Sequence, residues 1–218
     1  MLVRDRMSSP VVSVTPEMPF QDALKLMHER RFRRLPVTDT KGKLVGIVAE
    51  RDLLYASASP ATSLSVWELN YLLSKLKIRK LMTKKVITTT PDTTIEDAAL
   101  LMREKRIGGL PVVDDNHRPI GIITETDIFK TFVEMFGGGQ AGLRLSLEVP
   151  REKGVLAQLT RAIFELDGTI ISIGSFNLDV PGDDGLVLKV QDVSRDQLVD
   201  TLEALGDHVI DAREVERH

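Results

Sequence analysis

Apolar residues recur at helical spacing in two stretches of the chain that lie 75 positions apart. The spacing i, i+3, i+4, i+7 places each set on one face of a helix. Short apolar runs flank each predicted helix, one before it and two after it, and a second helix begins at Glu50 or Glu125. The order in each stretch is therefore β-α-β-β-α. The helix positions are Phe20, Ala23, Leu24 and Met27, and Ile95, Ala98, Ala99 and Met102; the predicted strands are 11–14, 35–38 and 45–48, and 86–89, 110–113 and 120–123.

The predicted helices carry distinct start signals. Thr93-x-x-Glu96 has the spacing of a capping box. Pro19 stands at the first helical position of the other copy, where its missing N–H removes no helical hydrogen bond. Between the two stretches, Ser65-x-x-Glu68 predicts a helix from 66 to about 76 that carries Trp67. That helix either packs on its own module or forms a contact surface for another subunit.

The pattern changes after a Gly-rich linker at 137–140. Apolar residues alternate with polar ones from Leu143 to Val149, which predicts a half-buried strand. The complete order is β-α-β-β-α-β, the ferredoxin-like arrangement, so the predicted fold class is α+β. The later elements are a helix with Leu159 and Ile163 closed by Gly168, strands at 170–178 and 186–190 joined by a turn at 181–185, a helix capped by Ser194-x-x-Gln197 and ending at Gly206, and a strand at 208–215.

The two early stretches are copies of one unit. Shifting the chain by 75 positions aligns residues 3–54 with 78–129 without a gap, and 19 of these 52 positions are identical. One unit of this size is too small to bury its apolar strands alone. We therefore expect the two copies to pack about a pseudo-twofold axis and to leave two related clefts between them.

The repeat resembles the CBS domain, and the pair resembles a Bateman module. The resemblance implies units at 1–56 and 78–136, a linker with an amphipathic helix at 57–77, and binding of AMP, ADP, ATP or S-adenosylmethionine. Such modules regulate an attached domain or a partner protein. The matching residues are Arg4-Asp5-Arg6-Met7 with Arg79-Lys80-Leu81-Met82, Leu35-Pro36-Val37 with Leu110-Pro111-Val112, and Gly46-Ile47-Val48-Ala49-Glu50-Arg51-Asp52 with Gly121-Ile122-Ile123-Thr124-Glu125-Thr126-Asp127.

Asp127 is the strongest candidate for a ligand contact. A carboxylate can accept hydrogen bonds from both vicinal hydroxyls of a ribose. Thr124 can add a hydroxyl, and the predicted helix start offers N–H groups to phosphate. Thr124-x-x-Asp127 also fits a helix-capping pair, and this alternative stays open. In the first copy Asp52 is kept, but Ala49 replaces the Ser or Thr typical of the family, so we expect Asp52 to contribute less.

The segment before Leu35-Pro36-Val37 differs between the copies. Arg33 and Arg34 stand where the second copy has Gly108-Gly109, so the two clefts are predicted to be inequivalent. The two arginines either reach an anion across the module or form a solvated charge run at a helix end. Val86 and Pro36 or Pro111 are the candidates for an apolar adenine face, although most such strand residues are core.

Residues 141–218 resemble an ACT domain. The residues that carry this resemblance are Gly154-Val155-Leu156 at the entry to the first helix and Asp167-Gly168-Thr169-Ile170-Ile171 at the turn into the second strand. ACT domains pair with one another and often bind an amino acid at the shared interface. Gly154, Val155, Leu156 and Thr169 are therefore the candidate site, and a pairing surface is favoured over a ligand site. The combination resembles the acetoin-utilisation protein B group.

Composition excludes several classes of function. The 218 residues include no Cys, and the four His have no metal-pair spacing, so neither thiol chemistry nor a metal site is expected. Residues 1–140 carry 21 basic and 17 acidic residues, against 8 and 15 in 141–218. Neither part is basic enough for a nucleic-acid surface. No membrane span or apolar leader is evident, so a cytoplasmic protein is expected.

These observations predict a non-catalytic regulatory sensor of adenosine nucleotides without a catalytic cofactor. We expect a homodimer and a regulated protein partner. The alternative is an assembly scaffold with vestigial clefts. An enzyme is disfavoured because the chain has no P-loop, no GxSxG, no HExxH and no Cys nucleophile.

Overall fold

The computed structural model describes residues 1–58, 75–178 and 182–217. The chain divides into two compact units, Met1–Phe129 and Lys130–His218. The helix predicted to carry Trp67 begins in a segment outside the described residues, as does Pro181 of the predicted turn.

The N-terminal unit contains both copies of the repeat. Strand β1 pairs antiparallel with β2, and β3 pairs antiparallel with β4, so the strand pairs after each first helix are confirmed. The second helices begin at Glu50 and Glu125, also as expected. The elements are α1 (Phe20–Arg30), β1 (Arg34–Thr38), β2 (Leu44–Ala49), α2 (Glu50–Ala58), α3 (Ile95–Lys105), β3 (Gly109–Val113), β4 (Pro119–Thr124) and α4 (Glu125–Met135), with 3-10 turns at Val3–Asp5 and Ile78–Lys80. The residues of α4 from Lys130 onward belong to the C-terminal unit.

The strands predicted at 11–14 and 86–89 are wrong. Each segment makes a single parallel bridge, Val14 with Val37 and Thr89 with Val112. Val14 N donates to Pro36 O over 3.0 Å. The next bond of a parallel ladder would need an N–H from Pro36, which proline lacks, so the pairing stops after one residue. Pro111 ends the other bridge in the same way.

Two predicted helix starts are displaced by one residue. Thr94, not Thr93, caps α3, and its Oγ1 accepts from Asp97 N over 3.1 Å. Pro19 is the N-cap residue of α1 rather than its first helical residue. Proline's fixed φ of −58° suits this flanking position too, so Pro19 still marks the start of α1, one residue earlier in the helix than expected.

The two copies exchange their first residues. Val3 N donates to Thr93 O over 2.8 Å, and Ile78 N donates to Met18 O over 3.0 Å. Val3 is fully buried in the core of the second copy, and Ile78 is fully buried in the core of the first. Each copy therefore completes its hydrophobic core with a residue from the other.

A second pair of crossings follows the exchanged turns. Ser8 bridges Ile122 of β4, and Thr83 bridges Ile47 of β2. Behind each bridge a methionine lies on a strand glycine, and a Cβ at Gly46 would come within 2.6 Å of the Met82 sulfur. Gly121 meets Met7 in the same way. Because the crossings are reciprocal, the N-terminal unit has the expected pseudo-twofold arrangement.

The C-terminal unit has the element order β-α-β-β-α-β. Its four strands form one antiparallel sheet in the order β6-β7-β5-β8, and the core lies between this sheet and two helices. The elements are β5 (Gly142–Pro150), α5 (Val155–Glu165), β6 (Thr169–Asn177), β7 (Asp183–Gln191), α6 (Arg195–Ala204) and β8 (His208–Val215).

Two predictions for the C-terminal unit are wrong in detail. Asp183 and Asp184 pair with Pro150 and Val149 as part of β7, so they belong to a strand and not to the predicted turn. Ser194 is the N-cap residue of α6, but its side chain makes no capping hydrogen bond, so the predicted Ser194 cap is wrong in this detail.

The exchange predicts that Ile78→Ala destabilises the N-terminal unit strongly. Removing a fully buried Ile side chain costs about 2–5 kcal/mol. The matched control is Leu100→Ala, because Leu100 on α3 is 41% exposed and its loss should change stability by no more than about 0.5 kcal/mol. Urea denaturation followed by circular dichroism measures both values. Equal, small effects of the two variants would contradict the exchanged core.

Candidate functional site

Two clefts lie between the copies of the repeat. One, the Asp52 cleft, has a volume of about 260 Å³, and the other, the Asp127 cleft, has about 230 Å³. Each takes its acidic residue from one copy and its opposite wall from the other. That wall combines the leading segment of the other copy with the segment between its first helix and first strand, 31–34 or 106–109. Besides the residues discussed below, the Asp52 cleft is lined by Ile47, Thr83, Lys85, Ile87, Arg106 and Ile107, and the Asp127 cleft by Ser8, Arg31, Phe32, Glu125 and Ile122.

Asp127 and Thr124 meet at the start of α4. Asp127 Oδ2 accepts from Thr124 N over 2.8 Å and from Thr124 Oγ1 over 2.7 Å. Both residues are half-buried and line the same cleft. The carboxylate therefore caps its own helix and also faces the cleft, so the two interpretations of Thr124-x-x-Asp127 are compatible.

The equivalent position in the first copy is built more weakly. Asp52 Oδ2 accepts from Ala49 N over 3.3 Å. Ala49 contributes no hydroxyl, although it lines the cleft beside Asp52. The Asp52 carboxylate thus has a longer capping contact than Asp127.

Arg34 lies against the glycine pair that replaces Arg33-Arg34 in the second copy. A side chain at position 108 would collide with the Arg34 guanidinium and with Glu125 Oε2, and a Cβ at Gly109 would lie 3.5 Å from Arg34 Cδ. The glycines therefore leave the space that Arg34 occupies. Arg34 and Gly108 line both clefts, so a single cation serves the two sites.

Arg34 lies among charged groups of both signs. Burial lowers the pKa of the half-buried Arg34 guanidinium, Glu125 and Asp52 raise it, and Arg33 and Arg51 lower it. Arginine stays charged under such shifts. Four basic side chains and one acidic one line the Asp52 cleft, against three and two in the Asp127 cleft. Both clefts therefore suit an anionic ligand, and the Asp52 cleft is the more positive.

The remaining candidates of the N-terminal unit are distributed between the clefts and the core. Arg33 lines the Asp127 cleft, where its Nη2 donates to Thr126 Oγ1 over 3.5 Å. Val86 lines the Asp52 cleft. Pro36 and Pro111 are buried in β1 and β3 and line neither cleft. Both prolines instead accept the hydrogen bonds of the single-residue bridges.

Sequence reasoning missed the residues that cross from the opposite copy. Arg31 and Arg106 each line one cleft and end a helix in the left-handed conformation, with φ of 55° and 53°. They occupy equivalent positions and are identical in the two copies. This identity was the available signal, but assigning each arginine to a cleft requires knowing how the two copies pack together.

The candidate residues of the C-terminal unit only partly share a cavity. Gly154, Val155 and Leu156 line a cavity of about 580 Å³. Arg151 lies in the same wall and pairs with Asp184 through Nη2 and Oδ1 at 2.6 Å, and this hydrogen bond raises the pKa of Arg151. Thr169 lies outside this cavity, exposed at the start of β6. Gly154 has a φ of +97°, which explains glycine there.

Neither a metal-binding cluster nor a membrane-spanning helix occurs in the described part of the chain. Residues 1–58, 75–178 and 182–217 contain no group of three metal-ligating side chains placed to hold an ion. Within the same ranges, every helix is too short or too polar to cross a bilayer.

Two of the solved structures with similar sequences are complexes with adenosine ligands. The CBS pair of MJ0100, in complex with 5′-methylthioadenosine and S-adenosyl-L-methionine, is 32% identical with a TM-score of 0.52; the match covers 61% of this chain and 95% of that one. CBSX2 from Arabidopsis thaliana, solved with AMP, is 34% identical with a TM-score of 0.50. The match covers 61% of this chain and 96% of that one. A putative acetoin utilization protein from Vibrio cholerae is 28% identical with a TM-score of 0.51, covering 61% and 90%.

Curated relatives differ greatly in length. The matched region spans 23% of one relative and 30% of another, but 92% of a third. Some of the longer relatives have enzyme names, and the chain covers only a minor part of each. The matches to the solved structures fall on about three-fifths of this chain.

The family comparison agrees with the repeat and with the reciprocal packing. The CBS domain family matches residues 3–59 and again residues 78–134, which together are more than half of the sequence. With two copies that build one unit around two clefts, the chain belongs to the CBS domain family.

Proposed function

We propose that the protein is a non-catalytic sensor that binds adenosine nucleotides in the two clefts of its CBS pair. The observation that carries the proposal is the Asp127–Thr124 pair, which presents a carboxylate and a hydroxyl beside three arginines in one cleft. These groups match the hydroxyls of a ribose and the charge of a phosphate. The adenosine ligands of the MJ0100 and CBSX2 pairs support the same class of ligand.

Each part of a nucleotide has a matching group in the Asp127 cleft. The Asp127 carboxylate accepts from the ribose hydroxyls. The guanidinium groups of Arg33 and Arg34 bind phosphate oxygens by charge-assisted hydrogen bonds. Ile122 and Phe32 supply apolar surface for the base. AMP, ADP, ATP and S-adenosylmethionine share the adenosine part, so Asp127 serves each of them.

The two clefts are proposed to prefer different ligands. The Asp52 cleft has more basic residues and lacks the hydroxyl that Thr124 supplies. It therefore favours ligands with more phosphate groups, whereas the Asp127 cleft favours ligands held chiefly through the ribose. A sensor needs such differential binding, because a ligand shifts a conformational equilibrium only by its difference in affinity for the two states.

The C-terminal unit is proposed to be a ferredoxin-like ACT domain. Its sheet order β6-β7-β5-β8 and its two helices on one face support this assignment. The cavity at Gly154, Val155 and Leu156 is the candidate amino-acid site or pairing surface. A regulated partner, a location in the cytoplasm and a link to acetoin metabolism complete the proposal, the last supported by the similarity to the Vibrio cholerae protein.

Asp127→Asn should weaken AMP binding by about 1.5–3 kcal/mol, because it removes the charge that accepts the ribose hydroxyls. The amide oxygen still caps α4, so the fold is kept. Titration calorimetry with AMP measures the change. Asp52→Asn should weaken binding less, because its cleft lacks the Thr124 hydroxyl.

The matched control is Asp97→Asn on α3. Thr94 Oγ1 donates to Asp97 Oδ2 over 2.8 Å, the same capping geometry away from either cleft. Asp97→Asn should leave AMP affinity unchanged. If Asp127→Asn and Asp97→Asn bound AMP equally well, Asp127 would be a helix cap only; if no adenosine ligand bound the wild type, the clefts would be vestigial and the chain a scaffold.

Arg34→Gln should weaken both binding steps of a two-site ATP titration, because Arg34 lines both clefts. Arg33→Gln should weaken only one step, because Arg33 lines the Asp127 cleft alone. Each lost contact to phosphate is worth about 1.5–3 kcal/mol. Calorimetry at two salt concentrations measures both steps, and identical profiles of the two variants would contradict the sharing of Arg34.

The chain is also proposed to form a homodimer through one of its two units. Light scattering at micromolar concentration should give twice the mass of one chain, since closed twofold pairs are the commonest assemblies. Deleting residues 141–218 then locates the interface: a dimeric remainder assigns it to the CBS pair, and a monomeric one to the ACT domain. A monomeric full-length chain would exclude a switch based on the dimer.

A further inference from the structure

The sheet of the C-terminal unit bears a second cavity on the face away from its helices. Its volume is about 440 Å³, within the usual range for small-molecule sites. Phe132 and Phe136 form one wall, with ring centroids 4.8 Å apart, and Phe136 lies on Gly174 of β6. Phe176 forms the opposite wall and lies on Gly185 of β7. The cavity is distinct from the one at Gly154.

A buried cation lines this cavity. Lys189 of β7 is 5% exposed, and its Nζ donates to Gly137 O over 2.9 Å and to Gln140 O. No carboxylate of the described residues forms an ion pair with it. Burying an ammonium group is costly unless a counter-charge accompanies it. An anion bound in the cavity would supply that charge.

Ser172 adds an unused hydrogen-bonding group. It is 7% exposed, and within the described residues its Oγ is a buried side-chain oxygen with no hydrogen-bond partner. A buried hydroxyl without a partner costs stability. Ser172 and Lys189 line the same cavity, so one polar ligand could satisfy both.

Arg144 of β5 is the third polar group. Its Nη1 donates to Ser146 Oγ over 3.1 Å and to Asp211 Oδ2 over 3.4 Å. Asp211 forms a shorter ion pair with Arg213 Nη2, at 2.7 Å, so its interaction with Arg144 is the weaker of the two. The cavity thus combines two cations and a free hydroxyl with three aromatic rings.

We propose that this cavity binds a small amphipathic monocarboxylate. The carboxylate lies at Lys189, Arg144 and Ser172, and the apolar body lies between Phe136 and Phe176. A ligand that also carries a positive group is disfavoured, because that group would lie beside the cations of Lys189 and Arg144. The site therefore selects a plain carboxylic acid over an amino acid, and it is separate from the nucleotide clefts and from the proposed amino-acid site.

Titration calorimetry of the full chain tests the proposal with three probes that share one phenylpropyl skeleton and differ in their polar groups. Phenylpropionate should bind at least about tenfold more tightly than phenylpropanol, which lacks the charge, and more tightly than phenylalanine, which adds an ammonium group. Methyl NMR signals of Val187 should move on binding, whereas those of Val155 in the other cavity should not. Equal binding of the three probes, no binding of phenylpropionate, or movement at Val155 alone would overturn the proposal.

Matched variants test the polar groups. Ser172→Ala removes an oxygen that has no partner, so it keeps the fold and should weaken phenylpropionate binding about threefold to tenfold. Arg144→Gln should weaken it about tenfold, and the fold is kept because Asp211 retains Arg213. Arg161→Gln removes the same charge from the exposed face of α5, away from the cavity and from Asp211, and should have no effect on affinity. Equal losses from Arg144→Gln and Arg161→Gln would show a general charge effect and contradict the site.

Discussion

The N-terminal unit depends on the burial of Val3 and Ile78, each in the core formed by the other copy of the repeat. Neither copy can close its core with its own residues, because the turn that begins each copy belongs spatially to the other. The hydrogen bonds from Val3 to Thr93 and from Ile78 to Met18 fix this crossing at the backbone. The clefts follow from it, since the same crossings bring Ser8 and Thr83 to the edges of the partner strands.

The exchange also explains how a symmetric repeat holds an asymmetric site. Positions 34 and 109 are equivalent in the two copies, and the space near the axis accommodates only one long side chain. Because Gly108 and Gly109 have no side chains, this space is left to Arg34. A single guanidinium then lies where both clefts meet, among Glu125, Asp52, Arg33 and Arg51. The replacement of two adjacent arginines by Gly108-Gly109 thereby makes the two clefts electrostatically different.

The sheet of the C-terminal unit also has two faces of different character. The helix-facing residues of β5 and β7 are apolar and fill the core, while the opposite face carries Arg144, Lys189 and Ser172 beneath three phenylalanines. Polar groups buried under aromatic rings contribute little to packing. Their cost is offset when a ligand pairs with them, so this second face has the character of a binding surface rather than of a core.

The sequence by itself determined the repeat, the order of elements and the acidic candidates. Helical and alternating periodicities are local, so α1, α3, the strand pairs and the C-terminal sheet strands could be predicted within a few residues. The strands at 11–14 and 86–89 failed because Pro36 and Pro111, distant in sequence, end their pairing. The same prolines were expected at a cleft and are buried in strands instead.

Only the tertiary structure decided which residues share a cleft. Asp127 shares a cleft with Arg33 and Arg34, and Asp52 shares one with Val86, because the two copies pack against each other, and alignment of the repeat carries no information on that packing. The space beside Gly108 and the unpartnered hydroxyl of Ser172 also depend on packing between residues far apart in the chain. Periodicity records which side of an element is buried, whereas the neighbour on that side is set by long-range packing.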